Sequence, residues 1–134
     1  MVPVVQLIDF PSGQIVLDQL RLATRFWSRF RGLQLAAPLS PNEGLLLSPC
    51  RSVHTHFMRF PLDIYFCSDA GIVLSRHLNA QPWRCMAVNR KASFVIETAA
   101  QPSPVLSVGQ MIRLRWAERE SSRSIARLAS ITLA

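Results

Sequence analysis

The sequence predicts a mainly β domain of the α+β type, a compact antiparallel barrel or sandwich with one or two short helices. Three observations predict it. Turn signals built from Gly, Pro, Asp and Ser recur at intervals of about 8 to 12 residues. The runs between them are short and apolar, and several alternate, as in Met111 to Trp116, where Ile112, Leu114 and Trp116 face one way and Arg113 and Arg115 the other. Only one stretch, Arg25 to Arg31, has convincing helical spacing.

The elements follow in order. Val4 to Ile8 and Gln14 to Leu17 flank Pro11-Ser12-Gly13, a hairpin signal. Thr24 is a suitable N-cap for the helix, Phe26 and Phe30 share one of its faces, and Gly32 suits its C-cap. Pro38 and Pro41 mark a loop, and Gly44 to Leu47 returns to strand. In Ser52 to Met58, alternation puts Val53, Thr55 and Phe57 on one face and His54, His56 and Met58 on the other. Pro61 interrupts the ladder because it has no N–H to give. Leu62 to Cys67 and Ile72 to Leu78 flank a tight turn at Ser68-Asp69-Ala70-Gly71, with Gly71 able to take a positive φ. Asn79 to Arg84 reads as a loop, Ser93 to Thr98 as a strand, and Val108-Gly109 as a turn before the last strand. Residues 1–118 form the predicted domain, and 119–134 a helical or frayed tail.

The chain has 134 residues, of which 49% are hydrophobic and 17% charged. A domain of this length buries about two-thirds of its unfolded surface and needs neither disulfide nor metal to fold. No apolar run reaches the roughly 18 residues of a membrane helix. The stretch MVPVVQLIDFPSG lacks the basic start of a secretory signal. The expected compartment is the cytoplasm, with Cys50, Cys67 and Cys85 as reduced, buried hydrophobes. The net charge of +7 comes from 15 basic and 8 acidic residues and favours acidic partners in general. Neither basic cluster, Arg21 to Arg31 or Arg113 to Arg127, carries a nucleic-acid motif, so nucleic acid is not the expected partner.

Five residues stand out for chemistry. His54 and His56 are two apart on one strand, a spacing that aims both imidazoles the same way. Asp63, Glu97, His77 or Cys50 could complete a metal site, but no signature spacing selects one, and a solvated pair is the plainer reading. Asp63 and Glu97 are the two acids set within apolar strands. Facing each other they could perform acid–base work. The simpler role is structural, with each carboxylate accepting backbone N–H groups or pairing with an arginine such as Arg59 or Arg84. Trp83, beside Pro82 on a loop, offers a stacking surface. No nucleophile elbow, cysteine motif or phosphate loop occurs.

The order RGLQL, NEGLLL, SVHTHFMRFPLDIYF, DAGIV, ASFVIE and VGQMIRL resembles the domain of unknown function 192 family over about Leu22 to Trp116. Arg31-Gly32-Leu33, Gly44-Leu45-Leu46, Pro61-Leu62-Asp63, Glu97 and Gly109 carry the likeness. His54-Thr55 and Phe57-Met58 resemble a histidine-threonine subgroup, and Gln110 stands where an acid is usual. The resemblance implies a β-rich fold with one or two short helices and no settled reaction. The expected function is a binding or accessory module, monomeric or weakly dimeric. It would hold a small polar ligand or a protein segment in a groove lined by His54, His56, Asp63, Trp83 and Glu97. The alternative is a small metal-dependent or carboxylate-pair hydrolase. No cofactor is expected.

Overall fold

The computed structural model describes residues 4–23, 38–55, 59–84, 86–101 and 104–116. The helix expected at Arg25 to Arg31 and the tail beyond residue 116 lie outside them. The described residues form nine strands: β1 (Val4–Phe10), β2 (Ile15–Ala23), β3 (Glu43–Leu47), β4 (Ser52–His54), β5 (Leu62–Cys67), β6 (Val73–Ala80), β7 (Met86–Val88), β8 (Phe94–Ala99) and β9 (Met111–Arg115). Seven form one sheet in the order β6-β5-β8-β3-β2-β1-β9, while β4 and β7 form a separate pair. The described residues contain no helix.

Two expectations are corrected. The large sheet is mixed, not purely antiparallel, because β2 and β3 run parallel from Gln19↔Glu43 to Ala23↔Leu47. Nor is it a closed barrel. Its two edges meet at an isolated bridge between Ile72, just before β6, and Met111 of β9. Around that bridge Ile112 N–H donates to Gly71 O and Val73 N–H to Gln110 O, 2.8 and 2.9 Å.

The curl divides the apolar residues into two cores. The interior core draws on all seven strands of the large sheet, with Leu7, Leu20, Leu46, Tyr65, Val73, Ile96 and Ile112 among its members. The second core lies on the other face of the sheet centre. There Leu45, Ile64, Phe66 and Val95 pack against Val53 of β4 and Ala87 of β7. β4 and β7 therefore act as a lid over β3, β5 and β8. Every residue of β5 and β8 is buried, which is why their sequences, LDIYFC and FVIETA, read as continuous apolar runs.

Two positions require glycine, one in a turn and one inside a strand. Gly71 takes φ 86 in the β5–β6 hairpin, and its N–H donates to Ser68 O at 2.9 Å. Gly44 answers a different need: a Cβ there would meet Leu17 Cδ1 at 2.8 Å and the Glu97 carbonyl at 3.2 Å.

Candidate functional site

The two embedded acids do not face each other. In the β5–β8 ladder Asp63 lies opposite Thr98, and Ile64 opposite Glu97. Paired residues share a face, so the one-residue offset sends the carboxylates to opposite faces of the sheet. Asp63 joins Tyr65 on the interior side, and Glu97 joins Ile64 and Leu45 under the β4–β7 lid.

Asp63, 3% exposed, has a structural partner. Three residues of β5, Leu62 to Ile64, span four of β6, His77 to Ala80, so β6 carries an extra residue. Asn79 sits at that irregularity with φ 55, in the left-handed region that Asn tolerates well. Its N–H donates to Asp63 Oδ1 at 2.8 Å. Burial raises the Asp63 pKa, opposed by that hydrogen bond and by the nearby charge of Arg76. Arg76 is thus the arginine near Asp63, and it also donates to Leu106 O at 2.7 Å. The Leu106 N–H in turn reaches the Tyr65 hydroxyl at 3.3 Å. The result is a polar seam that ties the loop before β9 to the sheet.

Glu97 differs. It is 5% exposed, no described residue donates to its carboxylate, and desolvation pushes its pKa up to about 7. His77 lies on the same row of the sheet, with Ile64 between them, and rests its ring edge-on against Phe66 at 6.0 Å.

The lid carries the other candidates. Val53 turns inward and His54 outward, so the predicted alternation holds across β4. His56 lies outside the described residues. Buried Thr55 donates its hydroxyl to Gln81 O at 2.7 Å and accepts the Trp83 N–H on its carbonyl at 2.8 Å. These bonds hold Trp83 at φ 66, an uncommon conformation for a bulky residue. Its ring is 57% exposed at the head of β7. β7 itself escapes sequence reading. Met86 and Val88 are 72% and 57% exposed while Ala87 is buried, the reverse of what their sizes suggest. The available signal was the alternation Met-Ala-Val, read with the small residue inward.

Among the described residues no three His, Cys, Asp or Glu side chains gather to hold a metal ion. Cys67 is buried and its thiol is pushed up to about 12, so it is not a nucleophile at neutral pH. Cys50 donates to Ser52 O at 3.2 Å and packs against the lidded core. No helix of the described residues is long and apolar enough to cross a membrane.

A UPF0127 protein of Thermococcus sibiricus is 28% identical over 125 residues, covering 88% of this chain and 78% of its own length. Two crystal structures share the fold. One, from Sinorhizobium meliloti and described as a candidate transcription regulator, has a TM-score of 0.68 at 23% identity over 85% of this chain and 94% of that one. The other, from Novosphingobium aromaticivorans and of unknown function, has a TM-score of 0.65 at 19% identity over 84% of each chain. The family model of DUF192, an uncharacterized group, matches residues 9–115, and the chain belongs to that family.

Proposed function

We propose that this protein is a binding or accessory module that takes up a protein segment on the outer side of the β4–β7 lid. The observation that carries this reading is the inverted burial of β7. Its large side chains, Met86 and Val88, face solvent on the side where Met86 lies opposite exposed His54, while Ala87 fills the core; Trp83, three residues before Met86, is exposed as well. Exposed apolar side chains grouped on one face mark recognition surfaces on soluble domains. The strained backbone of Trp83 donates its N–H to Thr55 O, next to β4, and Thr55 in turn bonds Gln81 O, as at sites where geometry is held for a purpose.

The hydrolase alternative loses its carboxylate pair, since Asp63 and Glu97 point to opposite faces. In this reading both acids support the scaffold, His54 and Trp83 contact the partner, and His54-Thr55 marks a histidine-threonine subgroup of the family. The module works in the cytoplasm as a monomer or weak dimer and needs no cofactor.

Selection of a random dodecapeptide library on the purified protein tests this. Enriched peptides should bind at least about tenfold more weakly to a folded Trp83→Ser, Met86→Ser, Val88→Ser variant. Failure to enrich any peptide, or equal binding to that variant, refutes the reading.

A further inference from the structure

Among the described residues the lid pair has an open edge. Asn89 N–H donates to Arg51 O at 2.9 Å, so Arg51 and Asn89 are a hydrogen-bonded pair of the antiparallel ladder. The register Val53↔Ala87 makes these two the next such pair. Met86 and Val88 fall between, and their N–H and C=O groups point away from β4. Among the described residues no strand adds to that side of β7. Edge strands are commonly guarded by Lys, Pro or a bulge. Met86-Ala87-Val88 has no Lys or Pro, and its pairing with β4 is regular.

The surroundings define what would add there. Residues 48–55 and 81–92 contain Arg51, Arg84, Arg90 and Lys91, all exposed, and no Asp or Glu. The lid therefore presents apolar side chains, strand-pairing groups that no described strand uses, and positive charge together.

We infer that the β7 edge accepts an extended, acidic segment of a partner protein as a third strand of the lid. This deepens the binding-module reading and rests on it. The main-chain groups of Met86 and Val88 set the register of the incoming strand. Its apolar residues lie beside the Met86 and Val88 side chains, and its carboxylates meet Arg84, Arg90 and Lys91. An anionic membrane surface fits the side chains and the charge but leaves the edge amides without partners, so a strand is the better occupant.

The test uses peptides enriched from the dodecapeptide library and the isotope-labelled full chain. The enriched peptides should be acidic and extended. Binding should slow amide exchange at Met86 and Val88 by at least about tenfold. Methylating alternate backbone nitrogens of the peptide should abolish binding, because it removes the donors facing the edge. Raising salt from 0.05 to 0.5 M, values chosen to shorten the screening length severalfold, should weaken binding markedly. If peptides bind but are neutral or basic, or leave Met86 and Val88 exchange unchanged, strand addition is refuted while the binding module stands. If no peptide is enriched, both fall. If vesicles of anionic phospholipid bind and protect the apolar side chains while peptides do not, the occupant is a membrane surface and the inference is overturned.

Discussion

The centre of the large sheet and its β2–β1–β9 wing obey different burial rules. In the centre both faces are covered: Tyr65 packs in the interior and its neighbour Phe66 under the lid, each fully buried. In the wing, among the described residues, the packed core lies on the interior face, and only Ala23 at the end of β2 joins the lidded core. Ile112 is buried there, while neighbouring Arg113 lies over the Phe10 ring at 4.2 Å on the other side. Beside it, Asp18, Gln6 and Arg115 form a polar row across three strands, joined at 2.9 and 3.1 Å. On the wing's outer side these polar side chains bond one another across the strands, although Arg113 Nε is buried without a partner among the described residues, whereas one in the centre must find a specific partner or change its charge state. Asp63 takes the first course and Glu97 the second.

The largest expected effects test the burial contrast directly. Tyr65→Ala and Phe66→Ala should each cost about 3–5 kcal/mol, although they are adjacent and point opposite ways. In the wing, Ile112→Ala should cost about 2–5 kcal/mol but Arg113→Ala only about 1 or less. Urea unfolding of the four variants reads the contrast, and a large loss for Arg113→Ala would break it.

Glu97 sharpens the comparison through pH. Its folded pKa of about 7 lies above the ordinary 4.5, so the folded state holds the proton more tightly. Its contribution is fully present below pH 4.5 and is lost as pH rises through about 7. The loss amounts to about 3 kcal/mol at most. Glu97→Gln should abolish this falling slope, measured by urea unfolding across that range. An unchanged slope would assign it to other groups.

Asp63→Ala strands the Asn79 N–H and should cost about 1–3 kcal/mol, while Asp63→Asn keeps an acceptor and should cost less. Equal losses in thermal melts would locate the role of Asp63 in its charge instead. The smallest effect belongs to the wing turn, where Gln110 donates to Asp9 Oδ1 at 2.7 Å and Ser12 to Oδ2 at 2.6 Å. The Ser12 bond first, then the Gln110 bond, lowers the Asp9 pKa. Gln110→Glu replaces a donor with a second carboxylate. The melting temperature should drop slightly at pH 7 and recover as acid protonates the pair.

What could be read from the chain follows the same division. The wing was legible because one covered face leaves period-2 alternation, as in Met111 to Trp116. The turns at Gly13 and Gly71 were legible because both adopt the positive φ that glycine favours. The centre showed where its strands lie but not which face each residue takes, since apolar residues fill both. Whether Asp63 faces Glu97 depends on a one-residue offset between two strands, a long-range fact that no local pattern encodes. The parallel β2–β3 pair was hidden for a similar reason, with residues 24–42 intervening. β7 was missed because its large side chains face outward, against the usual rule that apolar residues turn inward.

The pairing of β1 with β9 also governs when the sheet can be completed. Gln6 lies opposite Arg115, and the contacts between these strands join residues 101 to 109 positions apart in the chain. Such closure forgoes a large loop entropy before any contact compensates it, which places the domain among slow, milliseconds-to-seconds folders. During synthesis β1 and β2 leave the ribosome well before their partner β9 exists. The apolar faces of Val5, Leu7, Leu17 and Leu20 then stay open to chance encounters for as long as translation of the remainder takes, several seconds or more at about 5–20 residues per second.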